Sequence, residues 1–131
     1  VAVSKKQPNI LLVEDDPFLY KVLSQRLRDE GMKVTVATDG EAALADADRV
    51  KPELLLLDLI LPKMSGFEVL GNLRKKAVFM KLPVVVLSNL GQQEDIDQIE
   101  KLGVREYLVK ADYSLSEMVT KIKEHVAAVE K

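Results

Sequence analysis

Leu54-Leu55-Leu56-Leu57-Asp58 is the stretch from which the rest of the chain can be organised. Four consecutive apolar residues read as a strand covered on both faces, and a carboxylate closes it. Comparable short runs occur at Ile10-Leu11-Leu12-Val13, Val34-Thr35-Val36-Ala37, Val84-Val85-Val86-Leu87 and Tyr107-Leu108-Val109. Longer amphipathic stretches separate them. Five strand-like runs alternating with helical stretches predict an α/β domain with a parallel sheet.

The first, third and fourth runs are continuously apolar, as central strands should be. Lys33-Val34-Thr35-Val36 and Arg105-Glu106-Tyr107-Leu108 are mixed, as edge strands often are. With right-handed crossovers the simplest order is 2-1-3-4-5, a doubly wound, flavodoxin-like (βα)5 arrangement. Ligands of such sheets bind at the carboxyl ends of the strands flanking the point where the chain reverses direction. Here that point falls between strands 1 and 3.

Helix punctuation agrees. Asp16 is positioned to cap helix 1, with Pro17 at its first turn, and Leu19, Val22, Leu23 and Leu27 fall on one face. Thr38 with Glu41, Ser65 with Glu68 and Ser114 with Glu117 read as capping boxes for helices 2, 3 and 5. Helix 4 opens on Glu94, Asp95 and Asp97, carboxylates that complement its dipole. Gly71 interrupts helix 3 at some cost in propensity, which leaves open whether it marks close packing.

At 131 residues, with 47% hydrophobic and 31% charged residues, the chain suits one packed domain. Residues 9–129 are assigned to it, and residues 1–8 to a flexible N-terminal segment. The formal charge of -2 is evenly interspersed, so no basic block points to nucleic acid and no apolar run to a membrane. Absence of cysteine excludes disulfides and thiolate metal sites. Val1-Ala2-Val3-Ser4-Lys5-Lys6-Gln7-Pro8 lacks the apolar segment of a signal peptide, so the cytoplasm is the expected compartment.

The chemistry gathers at the strand ends. Strand 1 ends in Glu14-Asp15-Asp16, strand 3 in Asp58, strand 4 in Ser88-Asn89 and strand 5 in Lys110. Carboxylates at 14, 15 and 58 would repel one another unless a cation compensates. An all-oxygen set suits Mg²⁺, with Mn²⁺ as an alternative, better than zinc. Lys110 adds a mobile charge and Ser88 a hydroxyl, which together make a site for a transferring phosphoryl group. A P-loop is excluded because Glu14-Asp15-Asp16-Pro17 stands where a glycine-rich loop is needed. A haloacid-dehalogenase-like phosphatase would need a second aspartate at position 60, which is Ile60.

Read together, Ile10-Leu11-Leu12-Val13-Glu14-Asp15-Asp16, Leu57-Asp58-Leu59-Ile60-Leu61-Pro62-Lys63-Met64-Ser65-Gly66-Phe67-Glu68, Leu87-Ser88-Asn89 and Glu106-Tyr107-Leu108-Val109-Lys110 resemble the receiver domains of two-component response regulators. The resemblance spans residues 8 to 126 in one order. It implies a phosphorelay signalling domain, not an enzyme acting on a separate substrate. Its partners would be a sensor histidine kinase or phosphotransfer protein, and an output that the sequence does not identify. It implies Asp58 as phospho-acceptor and Glu14, Asp15, Asp58 and the Ile60 backbone carbonyl as metal ligands. Ser88 and Lys110 would act on the phosphoryl group, with Ser88 and Tyr107 forming the switch; simple edge-strand packing is the other reading of Tyr107. Pro62 and Gly66 would shape the loop after the acceptor. Two departures stand out: Ala111 where the family places proline, and Asn89 where it favours a small residue. The alternative is a receiver-like interaction adaptor that is not phosphorylated. His125, the single histidine, reads as an exposed helix residue without a role, and Met64, Met80 and Met118 as gap fillers or surface residues.

Overall fold

Each apolar run forms a strand in the structure, a computed structural model that describes residues 7–89 and 92–129. The strands are β1 (Asn9–Val13), β2 (Lys33–Ala37), β3 (Leu54–Leu57), β4 (Val84–Ser88) and β5 (Glu106–Val109). They are parallel and ordered 2-1-3-4-5, as the apolar and mixed runs predict. The helices are α1 (Pro17–Asp29), α2 (Gly40–Val50), α3 (Gly66–Arg74), α4 (Gln93–Glu100) and α5 (Leu115–Val129). The flexibility expected of the N-terminal segment falls mostly on residues 1–6, outside the described residues.

Strand alternation divides the core into two layers. Leu11, Val13, Leu55, Leu57, Val84 and Val86 pack with Ala43, Ala47, Val69, Leu73 and Ile99 of α2, α3 and α4. Ile10, Leu12, Leu54, Leu56, Val85 and Leu87 pack with Leu23, Leu27, Val119, Ile122 and Val126 of α1 and α5. Both faces of β1, β3 and β4 are thereby buried, which is why residues 10–13, 54–57 and 84–87 carry no polar side chain.

The caps follow the sequence with one correction. Asp16 caps α1, accepting the Phe18 N–H at 3.1 Å, with Pro17 at the first turn. Ser114 and Glu117 form the full reciprocal box, at 2.9 and 3.1 Å. Ser65 accepts the Glu68 N–H at 3.2 Å, while the Glu68 carboxylate takes the Ser65 hydroxyl instead of its N–H. The correction is at α2, where Asp39 and not Thr38 is the cap. Its extended backbone, φ -149 and ψ 169, lets its carboxylate reach the Ala42 N–H at 2.8 Å. Gly71 faces open space, so no close packing explains it.

Two side chains do more than their sequence context suggests. His125 is half-buried and contacts Glu106 Oε1 through Nε2 at 2.7 Å, joining α5 to β5, so it is not the free surface residue expected. Burial alone would raise the Glu106 pKa, but hydrogen bonds from His125 and Lys121 bring it below the usual glutamate value. Arg74, at the end of α3, donates to four carbonyl oxygens: Leu102 at 2.7 Å, Phe79 at 2.9 Å, Leu82 at 2.8 Å and Gly103 at 2.8 Å. It ties the loops that precede β4 and β5 to α3 with a planar donor fork that lysine lacks. Arg74→Lys is therefore expected to cost about 2 kcal/mol, since partly buried carbonyls lose their partners. The urea midpoint should fall with an unchanged slope; an unmoved midpoint would show that water replaces the fork without penalty.

Candidate functional site

Strand register assembles the site. Val13 pairs with Leu57, so β1 and β3 end side by side. The ladder runs one residue further on each: the Glu14 N–H donates to Ala37 O and the Asp58 N–H to Val13 O, both at 3.0 Å. The backbone hydrogen bonds thus fix one carboxylate-bearing residue, Glu14 or Asp58, at each of two neighbouring strand ends. Glu14, Asp15 and Asp58 offer carboxylate oxygens all within 4.8 Å of one another. Glu14 and Asp58 are buried, whereas Asp15 is exposed.

Lys110 reaches across from the end of β5. Its Nζ lies 2.5 Å from Glu14 Oε1 and 2.8 Å from Asp58 Oδ2. The second oxygen of Asp58 accepts the Ile60 N–H at 3.1 Å, and the second oxygen of Glu14 accepts the Asp16 N–H at 3.1 Å. Every oxygen of the two buried carboxylates is therefore engaged, as buried charge requires. Burial pushes the Glu14 carboxyl up, with the nearby Asp58 charge adding to it; the Lys110 and Asp16 hydrogen bonds only partly offset this. For Lys110, burial works against the charged form, but the bonds to Asp58 and Glu14 outweigh it and hold the ammonium above its ordinary range.

The acceptor loop is shaped by steric need. A Cβ on Gly66 would lie 2.3 Å from the Asp58 carbonyl oxygen and 2.6 Å from Leu59 Cα, so only glycine lets α3 start this close to Asp58. The Ile60 side chain is 55% exposed, which leaves its backbone as the part that faces the site's chemistry. Ser88 is fully buried at the end of β4, and Tyr107 is half-buried on β5. Burial raises the Tyr107 hydroxyl pKa, Asp95 and Asp58 act in the same direction, and a hydrogen bond with Ser88 opposes them. The residues named for the switch are thus in contact. No peptide bond among the described residues is cis, so Lys110-Ala111 is trans, as its composition predicts.

The donor set is all oxygen, with no imidazole or sulfur, and the exposed Asp15 leaves one side open to water. That chemistry fits Mg²⁺ or Mn²⁺. Sequence reading located all of these residues but not the engagement of each carboxylate oxygen, which depends on backbone direction after the strands.

A family model described as the response regulator receiver domain matches residues 10–123. The sensory transduction protein RegX3 of Mycobacterium tuberculosis is 38% identical over 117 residues, 88% of this chain and 49% of its own length. The chain spans about half the length of such curated relatives. Among solved structures, the Mn(2+)-bound form of response regulator Rcp1 has a TM-score of 0.79 at 31% identity, covering 88% of this chain and 91% of that one. The phosphorylated cyanobacterial phytochrome response regulator RcpA has a TM-score of 0.80 at 30% identity, covering 91% of each.

Lys110→Met leaves two buried carboxylates without their cation. The expected cost is about 3 kcal/mol of unfolding free energy at neutral pH without metal. The raised pKa of Lys110 means its stabilisation is complete below the ordinary lysine value of 10.5 and lost only in alkali. Any recovery of the variant in mild acid therefore belongs to protonation of Glu14, whose carboxyl burial already pushes up. Denaturation of parent and variant across that range checks this; an equal deficit at every pH below neutral would contradict it.

Proposed function

Because this chain belongs to the response regulator receiver domain family, we propose that it accepts a phosphoryl group on Asp58 and answers by changing the surface it offers to partners. The observation that carries the proposal is the Asp58 carboxylate itself. It is buried beside Glu14, held by the Ile60 N–H on one oxygen and by the Lys110 ammonium on the other. Such a carboxylate is oriented before the donor arrives, and positioning supplies much of the rate in phosphoryl transfer.

In the transfer, an Asp58 carboxylate oxygen attacks phosphorus of a phosphorylated histidine on a kinase or phosphotransfer protein. The P–N bond breaks, an acyl phosphate forms, and the imidazole departs with the electron pair. Lys110 neutralises charge on the phosphoryl oxygens, and the Ser88 hydroxyl donates to one of them. Asp15, Asp58, the Ile60 carbonyl and, through water, Glu14 would hold a divalent ion, whose charge offsets that of the phosphoryl group. The Mn(2+)-bound and phosphorylated relatives support this reading.

Signalling would follow from the contact between Ser88 and Tyr107. A Ser88 hydroxyl drawn toward the phosphoryl group gives up its bond to Tyr107, and the ring settles differently on the face of α4, β5 and α5. The phosphoryl group must interact differently with the two arrangements for any shift to occur. Output beyond that face would lie in a partner, or in a segment such as the one that makes the curated relatives longer.

Acetyl phosphate with Mg²⁺ should label the parent stoichiometrically, and Asp58→Asn should take no label. A parent that stays unlabelled would favour the unphosphorylated adaptor, and label retained in the variant, mapped by mass, would move the acceptor elsewhere.

Phe18 supplies a test of the donor. It is 75% exposed in the first turn of α1, directly after the acidic loop. A large apolar side chain in that position suits a docking anchor. Phe18→Ala should slow transfer from a phosphorylated kinase or phosphotransfer protein by about 10-fold, a typical loss for one anchor of 1.4 kcal/mol. Labelling by acetyl phosphate should be unchanged; equal slowing with both donors would place Phe18 in the chemistry or the fold.

A further inference from the structure

We propose that Gly40, the first residue of α2, is a positioning residue for the acceptor loop. By letting the α2 N-terminus lie directly on Met64, it fixes the β3–α3 loop and with it the Ile60 backbone beside Asp58. The functional half of this inference rests on Asp58 as the acceptor; the structural half does not.

Gly40 is buried, and only Gly31 and Gly103 among the described glycines have positive φ. Backbone freedom is therefore not what position 40 requires. Space is: a Cβ there would lie 2.3 Å from the Met64 carbonyl oxygen, 2.6 Å from Met64 Cβ and 2.9 Å from the Met64 carbonyl carbon. Two of the three are backbone atoms, so no rotamer change relieves the overlap. Either the helix or the loop must move.

The contact also carries specific bonds. The Gly40 N–H donates to Pro62 O at 3.3 Å, and the same oxygen accepts the Met64 N–H at 2.7 Å. One of the unsatisfied N–H groups at a helix N-terminus is thereby given to the loop. Asp39, the α2 cap, lies 3.7 Å from Lys63 Nζ. Lys63 between them holds φ 67, a conformation that non-glycine residues keep only when their surroundings over-determine it. Pro62, Lys63 and Met64 are thus all engaged by the first two residues at one helix end.

At its other end the loop is pinned by Gly66, whose N–H donates to Leu59 O at 3.0 Å and which sits on the Asp58 carbonyl. Ile60 lies between the two pins. Its N–H orients Asp58 Oδ1, so displacement of the 62–64 segment is transmitted to the carboxylate. The loop is seated by an element that contributes no reacting group.

Gly40→Ala in the full chain tests this, with three readouts: urea unfolding, the Ile60 amide resonance without metal, and Mg²⁺ affinity. The expected result is cooperative unfolding, a displaced Ile60 resonance, and Mg²⁺ affinity lower by about 10-fold or more, the range for residues that orient metal ligands. A folded variant with the parent's Ile60 resonance and Mg²⁺ affinity would overturn the proposal. If Gly40→Ala does not fold, amide exchange in the parent decides: the Gly40 and Met64 N–H groups, both donated to Pro62 O, should exchange slowly with solvent, and exchange as fast as in an open loop would sink the idea. Should the parent itself neither bind Mg²⁺ nor take label, the acceptor reading fails, and the Ile60 resonance alone decides the role of Gly40.

Discussion

Two buried carboxylates and one ammonium hold one another at the ends of β1, β3 and β5, and the rest of the domain can be understood from that triad. Glu14 and Asp58 are neighbours because β1 and β3 run in a register that ends them together. Lys110 reaches both because β5 lies on the same parallel sheet and ends at the same edge. Like charges at this range, taken out of water, would each favour the protonated form. The ammonium, together with backbone N–H groups from Asp16 and Ile60, makes ionisation of the pair tolerable. It does so incompletely, since Glu14 still lies above its ordinary range. A site in that condition favours the arrival of further positive charge, which is a physical reason for the affinity of such a cluster for a hard divalent ion.

The sheet was legible because burial on two faces leaves a plain mark. Continuous apolar runs at 10–13, 54–57 and 84–87 could only be central strands, and polar interruptions marked 33–36 and 105–108 as edges. The strand-end residues were legible for the same reason: a carboxylate directly after four leucines marks the point where the apolar run stops. What was not legible depends on backbone direction over one or two residues, or on partners distant in sequence. Thr38 and Asp39 are equally good caps by type, and only the extended backbone at Asp39 decides between them. Arg74 reads as one of a basic run, Arg74-Lys75-Lys76, until its guanidinium is seen among carbonyls from two loops. His125 meets Glu106 only because α5 packs over β5. Gly40 is one glycine before a helix, and nothing local says that a methyl group there would strike Met64.

The loop after Asp58 shows how a reactive group can be held precisely by parts that are not reactive. It contains an exposed apolar residue, a proline and a lysine at positive φ, and none of these would keep a fixed path unaided. Fixity comes from contact with two helix N-termini, α3 through Gly66 and α2 through Gly40. Both contacts are backbone against backbone, and so are stiffer than any side-chain packing, because no rotamer can give way. This explains why glycine stands at positions 40 and 66.

The same stiffness bears on how a local event can travel. Asp58 is tied rigidly on the side of α2 and α3, whereas its other partner, Lys110, extends from an edge strand that also carries Tyr107. Ser88 and Val109 are paired across β4 and β5, so the hydroxyl and the lysine belong to adjacent strand ends. A group arriving at Asp58 meets fixed backbone on one side and longer, rotatable side chains on the other. If Asp58 is the acceptor as proposed, displacement would follow the softer path, toward Ser88, Tyr107 and Lys110, because bending the clasped loop costs backbone contacts while turning a side chain does not. Under the proposed acceptor role, the asymmetry of the site's supports, more than any single residue, would favour change toward the face made by α4, β5 and α5.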